Sequence, residues 1–350
     1  MRVKLEEVCE RGSSNLKQSD VVKMSGKYPI YGASGHIGNA DFYHQDKPYV
    51  SVIKDGAGIG RAYLNPAKSS VIGTMQYLLP KNNVIPKYLY YVIRYMHLEK
   101  YYTGATIPHI YYKDYKNEQF NLASLEKQER VVEVLEKCEK IINNRRSEIG
   151  KLDELIKARF VEMFGDPIRN TQNRKTTEFI SVVKMQRGFD LAVQKRKQDG
   201  NIPVYGSNGV LDYHNEAKVK NGGIITGRSG TIGKVFFTEG DYWPLNTTLF
   251  SVDKHANNVV YLAYLLELFD LTRFAEGTGV PTLNRNMFHK KQIIDVPIEE
   301  QNQFADFVHQ VNKSKVVFDI QLKNITILLE ICSIINENTN GKMGRRLYDN

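Results

Sequence analysis

Hydrophobic and polar positions along this chain follow two regimes, and each regime occurs twice. From Lys127 to Phe164 there is no Pro and one Gly, and a stripe recurs at alternating steps of four and three. It comprises Val131, Leu135, Cys138, Ile142, Arg145, Ile149, Leu152 and Ile156. An offset of 173 positions lays a second stripe in the same phase: Phe304, Val308, Val311, Lys315, Phe318, Leu322, Ile325 and Leu329. This spacing predicts two long helices, each with a coiled-coil seam interrupted only by Arg145 and Lys315. A helix of some 33 residues would be about 50 Å long. Each stripe needs a partner, and the expected partner is the other copy, packed antiparallel.

Ahead of each helix the pattern is mixed. Short β-branched runs such as "PYVSVI" (48–53) and "GGIITG" (222–227) alternate with Gly, Asn and Pro and read as strands and turns. Helices are expected at 86–102 and 258–274. Here too the copies align. "YPIYGASG" (28–35) matches "IPVYGSNG" (202–209), and Ile59-Gly60-Arg61 falls on Ile232-Gly233-Lys234. "GATIPHI" (104–110) falls on "GTGVPTL" (277–283), and "LEKQER" (125–130) on "IEEQNQ" (298–303). The predicted class is α+β: two pseudo-twofold-related heads separated by an antiparallel pair of long helices. The boundaries are residues 1–125 for the first head and 126–164 for the central helix. Residues 165–298 make the second head, 299–338 the terminal helix and 339–350 a tail.

Charge narrows the partner. A formal net charge of +9 favours a polyanion, and nucleic acid before membrane. Cys9, Cys138 and Cys332 are odd in number and form no metal-ligand pattern, which suits a reduced, cytoplasmic chain. "MRVKLEEVCE" lacks the apolar segment of a signal peptide, and "ITILLEICSII" (325–335) is too short to cross a bilayer.

Enzyme motifs fail in detail. "GRSGTIGK" (227–234) has Arg228 where a phosphate-binding loop needs its first Gly, and Val235 where it needs a hydroxyl. "GASGH" (32–36) ends in His36, not the Gly of a nucleophile elbow. Neither Asn65-Pro66 nor Asp166-Pro167 continues as the motif with which amino-methyltransferases grip an exocyclic amine. No catalytic, metal-binding or cofactor-binding residue is assigned.

The polar, glycine-containing segments that recur in both heads are candidate DNA contacts, since Gly permits close backbone approach and the polar side chains can reach phosphates or base edges. In the first head these are Ser34, Gly35, His36, Lys54, Arg61, Thr106, His109 and Lys113. In the second they are Ser207, Asn208, Arg228, Ser229, Lys234, Thr282, Asn284 and Arg285. The shared Tyr31/Tyr205, Gly60/Gly233 and Pro108/Pro281 are expected to shape the fold. Matching positions that differ, such as His36 against Val210, Asp55 against Arg228 and His109 against Thr282, are expected to carry different specificities. The runs "KRK" (195–197) and "RR" (145–146) read as solvated surface.

Together "YPIYGASGHIG", "IPVYGSNG", "GATIPHIYYKDYKN", "LASLEKQERVVEVLEK", "VPIEEQNQFADFV" and the junction "ARFVEMFGDP" (158–167) closely resemble the specificity subunit of type I restriction–modification systems. The resemblance implies two target-recognition domains, each reading one half of a bipartite double-stranded DNA site, with the helix pair setting the spacer. It implies a non-catalytic chain that holds no cofactor. S-adenosylmethionine would belong to two partner methyltransferase subunits, and restriction–translocase subunits would complete the nuclease. Three other readings stay open: an orphan or phase-variable subunit serving a methyltransferase alone, a protein-binding scaffold, and an enzyme with degenerate motifs.

Overall fold

The computed structural model describes residues 1–104, 107–197, 199–277, 279 and 281–337, with backbone alone from 326 onward. Thr106, the side chain of Leu329 and the tail 339–350 lie outside the described residues. The chain divides into two compact units, residues 1–144 with the stretch from 321, and residues 145–320.

In the first unit a four-stranded antiparallel sheet runs in the order Cys9–Ser13, Met75–Pro80, Tyr49–Ile53, Ala62–Asn65. Tyr49–Ile53, the apolar run of the sequence, is buried along its whole length. A second sheet joins Gly35–Ala40, Tyr28–Gly32 and Ser70–Val71, the last pair being parallel. Arg2–Lys4 pairs with Gln119–Asn121 and brings the two ends of the head together. Pro86–Tyr95 packs its buried Tyr88, Leu89 and Ile93 into the core with Val50, Val52 and Leu78.

The second unit repeats this topology and adds a short pair, Ala275–Glu276 with Thr282–Leu283, where the first has a single bridge between Thr103 and His109. Its four-stranded sheet is Lys184–Arg187, Thr248–Asp253, Gly223–Gly227, Val235–Thr238. Its three-stranded sheet is Gly209–His214, Ile202–Gly206, Trp243–Pro244, and Thr176–Glu178 pairs with Gln292–Ile294. Even the irregularity recurs, since the hairpin register slips after Ile30 in one unit and after Val204 in the other. Both hairpins turn in two residues and re-enter the sheet at a glycine with positive φ, 103° at Gly35 and 109° at Gly209. A side chain there would be strained.

The helices expected at 86–102 and 258–274 are each broken. Pro86–Tyr95 gives way to a 3-10 turn at Leu98–Tyr101, and Val259–Phe269 to one at Leu271–Phe274. The break falls at matching residues, His97 (φ 50°) and Asp270 (φ 53°), both left-handed. Asp270 supports it by accepting from the Thr272 N–H at 3.1 Å. Neither residue is Gly or Pro, so the apolar pattern runs through the break.

The long helices span Leu125–Phe164 and Ile298–Glu337. Within residues 145–320 they run antiparallel: the Arg145 guanidinium lies 4.8 Å from the Phe318 ring, and Phe160 packs edge-on against Phe304 at 5.3 Å. Ile156, Phe160, Phe164, Phe304, Val308 and Val311 are buried in one core with Tyr261 and Leu262 of the head. Past Ile156 the buried positions shift by one, to Phe160 and Phe164 in place of Arg159 and Met163, and carry the helix into the domain core. Both polar interruptions are accommodated: Arg145 stacks on Phe318 and pairs with Glu148 at 2.6 Å, and Lys315 pairs with Asp153. The expectation that the "RR" run is solvated therefore fails for Arg145, whose flat cation suits an aromatic face.

One glutamine ties each head to its helix. Gln128 is fully buried; its Oε1 accepts from the Ile85 N–H at 2.9 Å, and its Nε2 donates to the Asn83 and Ala123 carbonyls. Gln301 repeats the contact, accepting from the Asn258 N–H at 2.9 Å and donating to Val296 O at 2.8 Å and Asn257 Oδ1 at 2.6 Å. Ile85 and Asn258 are the N-caps of Pro86–Tyr95 and Val259–Phe269. The shared Gln of "LEKQER" and "IEEQNQ" is therefore a structural latch. At the far end of the central helix, Gly165 turns the chain at φ 79°, and Asp166 Oδ1 accepts from the Ile168 and Arg169 N–H groups, so "FGDP" is helix punctuation.

Candidate nucleic-acid interface

In each head one strand of the four-stranded sheet ends in a glycine-rich loop that meets two other candidate segments. In the first head the Lys54 and Asp55 N–H groups both donate to Thr74 O, and Ile110 N donates to Lys54 O at 2.9 Å. Gly56 N donates to Pro108 O at 2.9 Å, and His109 Nδ1 lies 2.7 Å from Asp55 Oδ1. In the second head the Arg228 and Ser229 N–H groups both donate to Thr247 O, Leu283 N donates to Arg228 O at 2.7 Å, and Ser229 bridges to Thr282.

These matching bonds correct the alignment. Lys54, not Asp55, is the counterpart of Arg228, and Asp55 is that of Ser229. The loop is one residue shorter in the second head: Val52 pairs with Ala62, but Thr226 pairs with Val235. Both heads therefore carry a cation at the end of this strand. The loop returns on a glycine, Gly60 or Gly233, with φ of 83° and 86°. A β-carbon at Gly60 would stand 2.6 Å from the Glu99 nitrogen, and one at Gly233 2.3 Å from the Thr272 γ-methyl. Each loop is thus pressed onto the 3-10 turn that follows the helix break.

The other candidates distribute around these junctions. Ser34 is exposed at the hairpin tip beside Gly35, and the Tyr63 hydroxyl donates to Ala33 O at 2.7 Å, tying that tip to the sheet. His36 is exposed, with Nε2 3.0 Å from Asn39 Oδ1. Arg61 folds back so that Nε donates to Gly58 O at 3.3 Å, and the Lys113 ammonium sits 5.5 Å from the Tyr111 ring. In the second head the Lys234 ammonium donates to Asn208 Oδ1 at 2.7 Å, joining the hairpin tip to the glycine loop. Ser207 and Asn208 line a cleft of about 770 Å³ with Asp190, Arg196, Leu211 and Asn246. Arg228, Thr282, Asn284 and Arg285 line a separate groove of about 380 Å³. Asn284 caps the short helix Arg285–Phe288, accepting from the Asn286 N–H at 3.1 Å.

Two residues were missed by the sequence patterns. Arg187, at the end of Lys184–Arg187, joins Arg228 and Arg285 in lining the groove; it belongs to no motif and no cluster. Arg196, read within "KRK" as solvated, is largely covered. Its Nη1 lies 3.5 Å from Asp212 Oδ2, and Nη2 donates to Leu191 O at 3.4 Å, so it braces the segment against the hairpin.

Among the described residues no three or more of His, Cys, Asp and Glu are grouped to hold a metal ion, and no helix is long and apolar enough to cross a membrane. Burial pushes the Cys9 thiol up to about 12, so it stays protonated at neutral pH.

Two copies of one scaffold, each ending in a cationic loop cluster whose backbone is shared and whose side chains differ, define a duplicated recognition module. The chain belongs to the type I restriction modification DNA specificity domain family, which matches residues 1–151 and again 169–325. A putative type I specificity subunit of Mycoplasma pneumoniae is 21% identical over 326 residues, covering 86% of each chain. Two solved structures share the fold. A type I restriction–modification S subunit from M. genitalium has a TM-score of 0.60 at 15% identity, covering 95% of this chain and 94% of that one. A chain from a study of type I complex assembly and conformational transition has a TM-score of 0.57 at 14% identity, covering 95% and 96%.

Proposed function

We propose that this chain is the non-catalytic sequence-reading subunit of a type I restriction–modification complex. Each head reads one half of a bipartite site in double-stranded DNA, and the paired helices set the unread spacer. Lys and Arg on phosphates position each head, while side chains at the loop ends read base edges in the major groove. The observation that carries this reading is the recurrence of the Lys54/Arg228 junction, held by identical main-chain bonds and surrounded by different side chains.

Catalysis is assigned to partners. Two methyltransferase subunits supply S-adenosylmethionine and flip the target adenine from the stack, while this chain holds DNA and enzyme in register and needs no cofactor of its own. Restriction–translocase subunits complete the assembly, which works in the cytoplasm. The test is adenine-methylation mapping of DNA from cells with and without the gene. A split motif that depends on the gene is expected, and its absence refutes the reading. Exchange of residues 1–125 for another family member's head should change one half of the motif; a change in both halves would separate heads from half-sites. One heptad inserted after Ile142, matched by one before Phe318, should lengthen the spacer.

A further inference from the structure

The groove in the second head concentrates positive charge in a way the first head does not. Arg187, Arg228 and Arg285 line it with Glu276, Thr282 and Asn284. The arginine ion pairs among the described residues belong elsewhere, to Arg94, Arg130, Arg145, Arg159, Arg174 and Arg196. Three arginines therefore line one small cavity, and among the described residues no carboxylate pairs with any of them.

Strand register identifies their counterparts. Arg187 pairs with Leu249 as Ser13 pairs with Gln76, and Leu249 pairs with Thr226 as Gln76 pairs with Val52. Arg285 opens the helix Arg285–Phe288 as Tyr112 opens Tyr112–Tyr115. The first head thus has Ser13, Lys54 and Tyr112 where the second has three arginines. One cation is common to both heads and two are peculiar to the second. Every duplex offers the same phosphates, so a phosphate contact suits both heads, whereas a contact that distinguishes bases belongs where the heads differ. A guanidinium fork matches the two major-groove acceptors of guanine, O6 and N7, and a carboxylate suits the amine of the paired cytosine.

We propose that Arg187 and Arg285 read a G·C pair in the second head's half-site, with Glu276 placed for the cytosine amine. Arg228, like Lys54 in the first head, holds the phosphate backbone. This rests on the chain being a type I specificity subunit.

The test maps methylation by the complete complex carrying Arg187→Lys, Arg285→Lys or Arg228→Lys. Lysine keeps the charge and removes the fork. Either of the first two should admit other bases at a guanine in one half-site, lowering the preference for it by about 5- to 150-fold, with the other half-site unchanged. Arg228→Lys should leave the motif as it is. An unaltered motif in both Arg187→Lys and Arg285→Lys overturns the proposal. If those variants stop methylating, competition binding on duplexes altered one base pair at a time decides: uniform loss across sequences refutes base reading, and loss confined to one position supports it. A wild-type complex with no split motif would instead refute the assignment of the chain as a specificity subunit.

Discussion

Replacing Gln301 with Leu tests whether the shared glutamine holds each head to its helix. Leucine fills a similar volume but offers no polar atom. The Asn258 N–H and the Val296 carbonyl lose their partner, while Asn257, whose Nδ2 donates to Val182 O, can turn its freed oxygen. Gln301 is 1% exposed, so water does not replace these bonds in the native state. Orphaning a buried backbone group costs about 1–3 kcal/mol, and the apolar leucine returns about 1. Two such groups cost about 2–6 kcal/mol, so the expected net loss is about 1–5 kcal/mol, a large share of a typical domain's stability. For a unit of this size that lowers the unfolding midpoint by roughly 2–20 °C.

The chain's single Trp provides the assay. Trp243 lies in the second unit, 6% exposed and packed with Val204 and Leu245, so its fluorescence reports that unit's unfolding. Gln301→Leu should shift the fluorescence midpoint downward. Gln128→Leu should destabilise the first unit by a similar amount, seen in far-ultraviolet dichroism before the Trp243 transition. A midpoint within about 2 °C of wild type for Gln301→Leu would falsify the latch, because no relaxation short of readmitting water satisfies both groups.

Other outcomes follow from the same contacts. Gly60→Ala should cost about 2–4 kcal/mol and more than Gly233→Ala, since one added methyl meets backbone and the other meets a side chain that can move; thermal midpoints in the opposite order would refute this. Burial, aided by Arg285 and Lys184, holds the His289 imidazole below its usual range, and its Nε2 accepts from the Met185 N–H at 3.2 Å. The unfolded state therefore binds more protons, and this contribution is present above about pH 6.5 and lost as pH falls toward the folded value. His289→Gln should flatten that part of the Trp243 stability profile, and an unchanged slope would remove His289 as its source. Lys315→Met should leave stability unchanged or raise it by about 1 kcal/mol, because a thioether fills the seam without a desolvated charge; a loss beyond about 1 kcal/mol would show that the ion pair with Asp153 is needed.

The long helices were legible because each seam position is dictated by one period, and Ile156, Phe304 and Val308 are buried where that period puts them. The head topology was legible as a repeat but not as a strand order, since pairings such as Ile30 with Ser70 join strands far apart in sequence. The breaks at His97 and Asp270 carry no Gly or Pro and are held by tertiary contacts with the glycine loops. The loop alignment failed by one residue because "GAGIG" and "SGTIG" accept more than one superposition; main-chain bonds to Thr74 and Thr247 resolve it. Arg187 had no signal at all, since its counterpart is Ser13 and an offset comparison passes over unlike residues.

That failure has a physical source in how the recognition loops are held. Lys54 and Arg228 are fixed by their own N–H and C=O groups, bonds that any residue except proline can make. The side chains beside them carry little of the fold, and so Asp55 against His109 in one head can become Ser229 against Thr282 in the other with the anchoring main-chain bonds kept. Residues that hold the scaffold are identical in the two heads: Gln128 and Gln301 each satisfy buried main-chain groups, and Gly60 and Gly233 each sit at positive φ against a 3-10 turn. A scaffold that anchors its contact loops through the main chain can change what it reads without changing how it folds, and its reading residues are then the ones a repeat conceals.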